Sequence, residues 1–164
     1  MANKVFLMAQ GKSSRWGTPT LPKQCIPVGG RPLIDRTMSM IPDNYLVTLI
    51  SPDDVLSCIS TERTFAYDYF VDPGSLLKGI WLCRHHIDPA MDNALFLLGD
   101  VVFSRKMAHY IFSKNWNEIT LFGRIGANKK TGKAASELFA LWIPYHSAES
   151  FFSELKLVWV SLAD

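Results

Sequence analysis

The sequence predicts an α/β protein, a three-layer sandwich around a mixed but mainly parallel sheet. Three observations carry that expectation. Short continuous apolar runs alternate along the chain with stretches whose apolar residues recur at helical spacing. The first run, residues 5–9, is apolar throughout and stops just before Gly11, as a strand buried on both faces does when it ends in a loop. Between residues 119 and 143 the rhythm breaks: two strand-like runs are joined only by a turn-rich stretch, which adds an antiparallel excursion.

The elements follow in order. After the first strand comes a polar stretch, 11–24, in which Gly17, Pro19 and Pro22 exclude regular structure. Pro32 suits the first position of a helix that puts Leu33, Ile34, Met38 and Ile41 on one face, and Pro42 closes it. Residues 45–50 read as a second buried strand. Pro52, Asp53 and Asp54 then begin a short helix carrying Val55, Leu56 and Ile59. A weaker strand spans 65–71. Ser75 is a candidate cap for a helix whose inner face is Leu76, Ile80, Cys83 and Ile87. The run 94–98 is the most buried-looking strand and ends at Gly99-Asp100. A helix over 105–114, strands at 119–122 and 137–143, a helix at 150–155 and a last strand at 157–162 complete the chain, read as a single domain over 1–164.

Composition excludes several classes. Of 164 residues, 48% are hydrophobic and 20% charged, an ordinary globular mix. Seventeen basic residues against fifteen acidic ones leave a net charge of +2, too little for a nucleic-acid coat or a polybasic membrane patch. No apolar run approaches a membrane span, so neither nucleic acid nor membrane is expected as a partner. Cys25, Cys58 and Cys83 are odd in number, far apart and without a CxxC pair. They predict neither a disulfide framework nor a zinc site, and three free thiols fit a cytoplasmic protein.

The chemistry concentrates in the first loop. Gly11, Lys12, Ser13, Ser14, Arg15 and Gly17 follow the first strand, and Lys23 comes before the first helix. Successive loop amides can form an anion nest, Arg15 offers a planar fork for phosphate, and Lys23 a mobile point charge. The stretch thus reads as a polyphosphate cradle or as a merely solvated surface loop. Gly11-Lys12-Ser13 mimics the end of a P-loop, which leaves a kinase as a rival reading, but the first glycine of that motif would fall at Phe6 inside the strand. His85-His86 makes a poor metal pair, since adjacent helical residues diverge by about 100°. Trp81, Trp142 and Trp159 fall on apolar faces and read as core.

These residues also fit a family pattern. Val5-Phe6-Leu7-Met8-Ala9-Gln10-Gly11-Lys12-Ser13-Ser14-Arg15-Trp16-Gly17 resembles the strand-and-loop opening of the sugar-phosphate and MobA-like nucleotidyltransferases, which runs roughly L-A-A-G-x-G/S-x-R-M-G. The stretch from Pro22-Lys23 through Pro27-Val28-Gly29-Gly30-Arg31-Pro32-Leu33-Ile34 is similar to that family's P-K-x-L-x-P-V-x-G-K-P-L-I, in order and at normal spacing. Leu97-Leu98-Gly99-Asp100-Val101 resembles its strand ending in G-D.

The resemblance implies a nucleotide-diphospho-sugar transferase fold. It also implies transfer of a nucleotidyl group from an NTP to a small phosphorylated acceptor, most simply a sugar phosphate for polysaccharide or cofactor synthesis, with release of pyrophosphate. On that pattern Ala9, Gln10, Gly11, Ser13 and Ser14 contact the nucleotide, while Arg15 and Lys23 hold its phosphates. Asp100 binds Mg²⁺, and Gly74 and Ser75 lie near the base. Gln10 stands where the family has a second small residue. The late acidic metal ligand has one counterpart here, Asp164, and the pattern is short at that end. Lys133 in the 128–137 turn is either an acceptor-phosphate contact or part of a plain hairpin. An inactive relative that binds nucleotide as a regulatory or scaffold module stands as the alternative.

Overall fold

In a computed structural model, residues 2–9, 21–51, 55, 58–59, 68–70, 76–124 and 137–161 are described. Six of their strands form one sheet, flanked by helices on both faces. In chain order the strands are β1 (Ala2–Met8), β4 (Tyr45–Ile50), β5 (Asp68–Phe70), β6 (Asp92–Leu98), β7 (Thr120–Arg124) and β8 (Glu137–Ile143). A separate two-stranded hairpin pairs β2 (Pro27–Val28) with β3 (Arg31–Pro32). The helices are α1 (Leu33–Met38), α2 (Leu76–Cys83), α3 (Arg105–Phe112) and α4 (Tyr145–Ser161).

The spatial order is β5-β4-β1-β6-β8-β7. β1 runs parallel to β4 and β6, and β5 is parallel to β4, whereas β8 is antiparallel to both β6 and β7. The sheet is therefore mixed, with its parallel half built from the first strands and the antiparallel excursion at the far edge. The continuous apolar character of β1 has a direct cause: it lies between two parallel neighbours and must pack on both faces. Val5 and Leu7, both fully buried, join Ile34, Met38, Leu95, Leu97, Phe103 and Ile111 on the α1 and α3 side. Phe6 and Met8 join Ile80, Cys83, Phe96, Leu141, Ala148 and Phe152 on the α2 and α4 side, where Phe6 stacks on Phe96 with centroids 4.9 Å apart. This is the expected three-layer sandwich.

Several local expectations are corrected. Pro32 belongs to β3 and occupies the cap position, so the helix begins one residue later, at Leu33. Leu76 is 37% exposed, leaving Ile80, Cys83 and Ile87 as the buried side of the α2 segment. Residues 157–161 of the stretch expected as a last strand belong instead to α4, which runs unbroken to Ser161. Four consecutive apolar residues have no period of their own. Upstream, the buried Ala148 and Phe152, with Leu155 partly buried, set a helical repeat that they extend. Trp142 is fully buried as expected and donates its indole N–H to the Trp116 carbonyl at 2.8 Å. Trp81 lies beneath Arg84, whose guanidinium carbon is 3.8 Å from the ring centroid. His85 and His86 lie in a 3-10 turn, and no group of three or more potential metal ligands occurs among the described residues. Asp53 and Asp54 lie outside the described residues.

The expectation of three free thiols is also overturned, because Cys25 and Cys58 form a disulfide. Their separation of 33 residues hides the proximity. The chain leaves the Lys23–Cys25 turn, runs through the hairpin, α1 and β4, and returns to the same place. Cys83 is the free cysteine, buried in the core, and burial pushes its thiol up to about 12, so it stays protonated and unreactive. No helix among the described residues is long and apolar enough to cross a membrane.

Candidate functional site

The site is built where β1 and β6 end. The two strands run in register from Ala2 opposite Asp92 to Met8 opposite Leu98, so both deliver their following loops to one edge of the sheet. Ligands of open α/β sheets bind at that carboxyl edge. There the Gly99 N–H donates to the Met8 carbonyl at 2.9 Å, and the Ala9 N–H donates to Ile50 at 2.7 Å. Gly99 sits in a crowded place: a β-carbon would lie 3.2 Å from both Cα and Cβ of Ala9 and 3.1 Å from Cδ1 of Ile34, so those neighbours would have to give by a few tenths of an ångström. Its absence lets the end of β6 close on the end of β1 and sets Asp100 beside the first loop.

Lys23 comes to the same edge on a short 3-10 turn, Lys23–Cys25, opened by Pro22. Its ammonium donates to Oδ2 of Asp100, forming an ion pair that crosses 77 residues of sequence. The two side chains keep 21% and 30% of their surface exposed, so the pair is held by the fold yet reachable by solvent and ligands. Two residues beside Lys23 fix the turn. Gln24, 1% exposed, donates its amide to the Ala9 carbonyl at 2.8 Å, while its Oε1 is buried without a hydrogen-bond partner. Cys25 is tied to Cys58.

The structure thus brings together three residues singled out in the sequence: Ala9, Lys23 and Asp100. Arg15, Gln10, Gly11, Ser13, Ser14, Gly74, Ser75, Asp164 and Lys133 lie outside the described residues. Gln24 escaped the sequence reading. Its one sequence signal is its place directly after Lys23, and its role appears only when the turn folds under the end of β1. Chemically, the edge offers a cation, a carboxylate able to take a hard divalent metal, and a buried amide oxygen. Among the described residues Asp100 is the one carboxylate at this edge, so a divalent metal held there would draw its remaining ligands from elsewhere, such as phosphate and water.

The architecture is a fold shared with solved nucleotidyltransferases. No family model matches the chain, and no curated protein matches it. Among solved structures, it is similar to a glucose-1-phosphate thymidylyltransferase assigned in Bacillus anthracis and crystallised with sucrose. That match has a TM-score of 0.66 and 19% identity, and covers 90% of this chain and 74% of the other. The inositol-1-phosphate CTP transferase of T. maritima matches with a TM-score of 0.59 and 13% identity over 91% of this chain and 74% of its own. A Mycobacterium tuberculosis protein solved with manganese matches with a TM-score of 0.56 and 15% identity over 100% of this chain and 83% of its own.

Proposed function

We propose that the protein transfers a nucleotidyl group from an NTP to a small phosphorylated acceptor, a sugar phosphate in the simplest case, and releases pyrophosphate. The observation that carries this reading is the Lys23–Asp100 pair at the shared carboxyl edge of β1 and β6, the pair of residues for which the family pattern implies phosphate and metal roles. The named activities of the fold neighbours support it.

In this reading the acceptor phosphate is already ionised, so attack on the α-phosphorus needs no general base. It needs in-line positioning and neutralisation of developing charge. Lys23 supplies a cation for the α-phosphate and Arg15 a second, bidentate one, while Gly11, Ser13 and Ser14 cradle the triphosphate. Gly74 and Ser75 lie near the base. Asp100 would hold Mg²⁺ with help from Asp164, and the metal, when bound, would neutralise phosphate charge. In the free protein the Lys23–Asp100 pair keeps both groups aimed at the same spot; with substrate bound, Lys23 would turn to a phosphate and Asp100 would be free to hold the metal. We place the protein in the cytoplasm, where NTPs are found and where the Cys25–Cys58 bridge would be open to reduction.

Pyrophosphate release across the four NTPs and a panel of sugar phosphates, with and without Mg²⁺, tests the proposal. Acceptor-dependent release with one NTP is expected. Saturable NTP binding without release on any acceptor would assign the chain to the regulatory alternative, and production of a nucleoside diphosphate would make it a kinase.

A further inference from the structure

We propose that the outer surface of the α1–α3 layer carries a second binding site, for a small organic phosphate: a phosphate monoester with an apolar or aromatic body. Arg31 from the hairpin, Arg36 from α1 and Arg105 at the start of α3 line one cleft of about 310 Å³, with Ser39 and Met40 between them. No aspartate or glutamate lines it. None of the three guanidiniums has a carboxylate partner among the described residues, where ion pairs join other residues instead. Arg36 is the most constrained of them. Its Nε is buried without a hydrogen-bond partner, and Gly29 (φ 64°) turns the hairpin so closely over it that a β-carbon there would lie 3.4 Å from Nη1. Three like charges gathered without a carboxylate partner among the described residues suit an oxyanion able to accept several guanidinium hydrogen bonds at once.

The adjoining surface narrows the ligand. A second cleft of about 410 Å³ shares Met40 and Arg105 with the first and is otherwise lined by Pro42, Ala108, Phe112, His109 and Ser113. A cationic pocket opening onto an apolar one matches a ligand with a charged head and an uncharged body. The site is separate from the Lys23–Asp100 edge. Ile34 of α1 faces Gly99, whereas Arg36, two residues on, points about 200° further round the helix.

Titration of the protein with inorganic phosphate and with phenyl phosphate, followed by amide chemical shifts, tests this. Phenyl phosphate is expected to bind more tightly than inorganic phosphate, shifting residues 31, 36, 39, 105 and 112. It should bind the Lys23→Ala variant with unchanged affinity. In the double variant Arg31→Gln, Arg105→Gln the affinity should fall by about tenfold or more, the loss expected from removing charge-assisted hydrogen bonds. Both side chains are exposed, so folding is not at stake. Arg36→Gln should weaken binding further. Unchanged affinity in the double variant, loss of binding in Lys23→Ala, or no saturable binding to the wild-type protein would overturn the site. Phenyl phosphate binding no tighter than inorganic phosphate would overturn the ligand class.

Discussion

The same two strands carry a lysine–aspartate pair at each end, and the two pairs are built differently. At the amino end Lys4 of β1 meets Asp92 of β6 at 2.7 Å, with Asp92 only 8% exposed. Asp92 also accepts from the Asp88 N–H at 2.9 Å, and Lys4 donates to the His86 carbonyl. At the carboxyl end both partners come from loops beyond the strands and remain partly exposed. One pair is woven into the strands, with other protein groups taking up its hydrogen-bonding capacity. The other is presented by loops at the carboxyl edge of the sheet. The difference teaches that an ion pair's use is set by what surrounds it, since residue type and chain order are the same at both ends.

That contrast can be broken by crossing the variants. Asp100→Asn should show the largest effect, abolishing Mg²⁺-dependent turnover in the pyrophosphate assay. Unchanged Mg²⁺ dependence would remove Asp100 from the metal role. Next, Lys23→Ala and Arg15→Ala should each lower turnover by roughly 10²–10³, the cost of one preorganised charge-stabilising donor. The midpoint of thermal unfolding should barely move for Lys23→Ala, because surface ion pairs contribute little to stability. A collapsed melting temperature with normal turnover would mean that the carboxyl pair is structural after all.

Removing the brace beside Lys23 sharpens the comparison. Loop-closure entropy for a ring of this size suggests that replacing both Cys25 and Cys58 by Ser costs about 3–4 kcal/mol in denaturant unfolding. If the bridge also steadies Lys23, turnover should fall under thiol reductant, and the double serine variant should no longer respond to reductant. A wild-type rate indifferent to reduction would limit the bridge to stability.

The amino-end pair should give the mirror image: stability lost and turnover kept. Asp92→Asn is expected to cost about 1.5–3 kcal/mol, the range for a hydrogen bond to a charged group. Burial raises the Asp92 carboxyl, but the Lys4 hydrogen bond, the Asp88 N–H and the Lys4 charge together outweigh it and leave the group below its ordinary value. A depressed folded-state value stabilises at pH above the unfolded carboxylate value, about 4, and that stability is lost as pH falls through the folded value. Urea midpoints measured down the acid range should therefore fall less steeply in Asp92→Asn than in the wild type. Parallel profiles would deny Asp92 that share of the acid sensitivity.

Much of the architecture was legible because it rests on local pattern. The run through Val5 and Leu7 announces a two-faced strand, the Gly99-Asp100 ending fixes where β6 stops, and the break after residue 119 marks the antiparallel edge. Lys23 and Asp100 were legible as separate candidates because each stands in a stretch that resembles the family pattern, P-K for one and the strand ending in G-D for the other. What escaped depends on the chain returning to a point. Cys25 and Cys58 carry no spacing signal, since they meet only once the chain has run through the hairpin, α1 and β4 and come back. Arg31, Arg36 and Arg105 look scattered until α1 and α3 share a layer. The final apolar run misled because short runs carry no period, and the helix that captures them starts at Tyr145.

The Cys25–Cys58 bond also changes the topology of the covalent chain. It closes a ring that contains the hairpin, α1 and β4, two elements of the core and the turn bearing Arg31. A protease cutting once between residues 26 and 57 would open the ring without releasing either half. The nicked protein would keep its full mass on a non-reducing gel and separate into two pieces only after reduction. Through such a cut, Lys23 and Asp100 would stay on one covalent body.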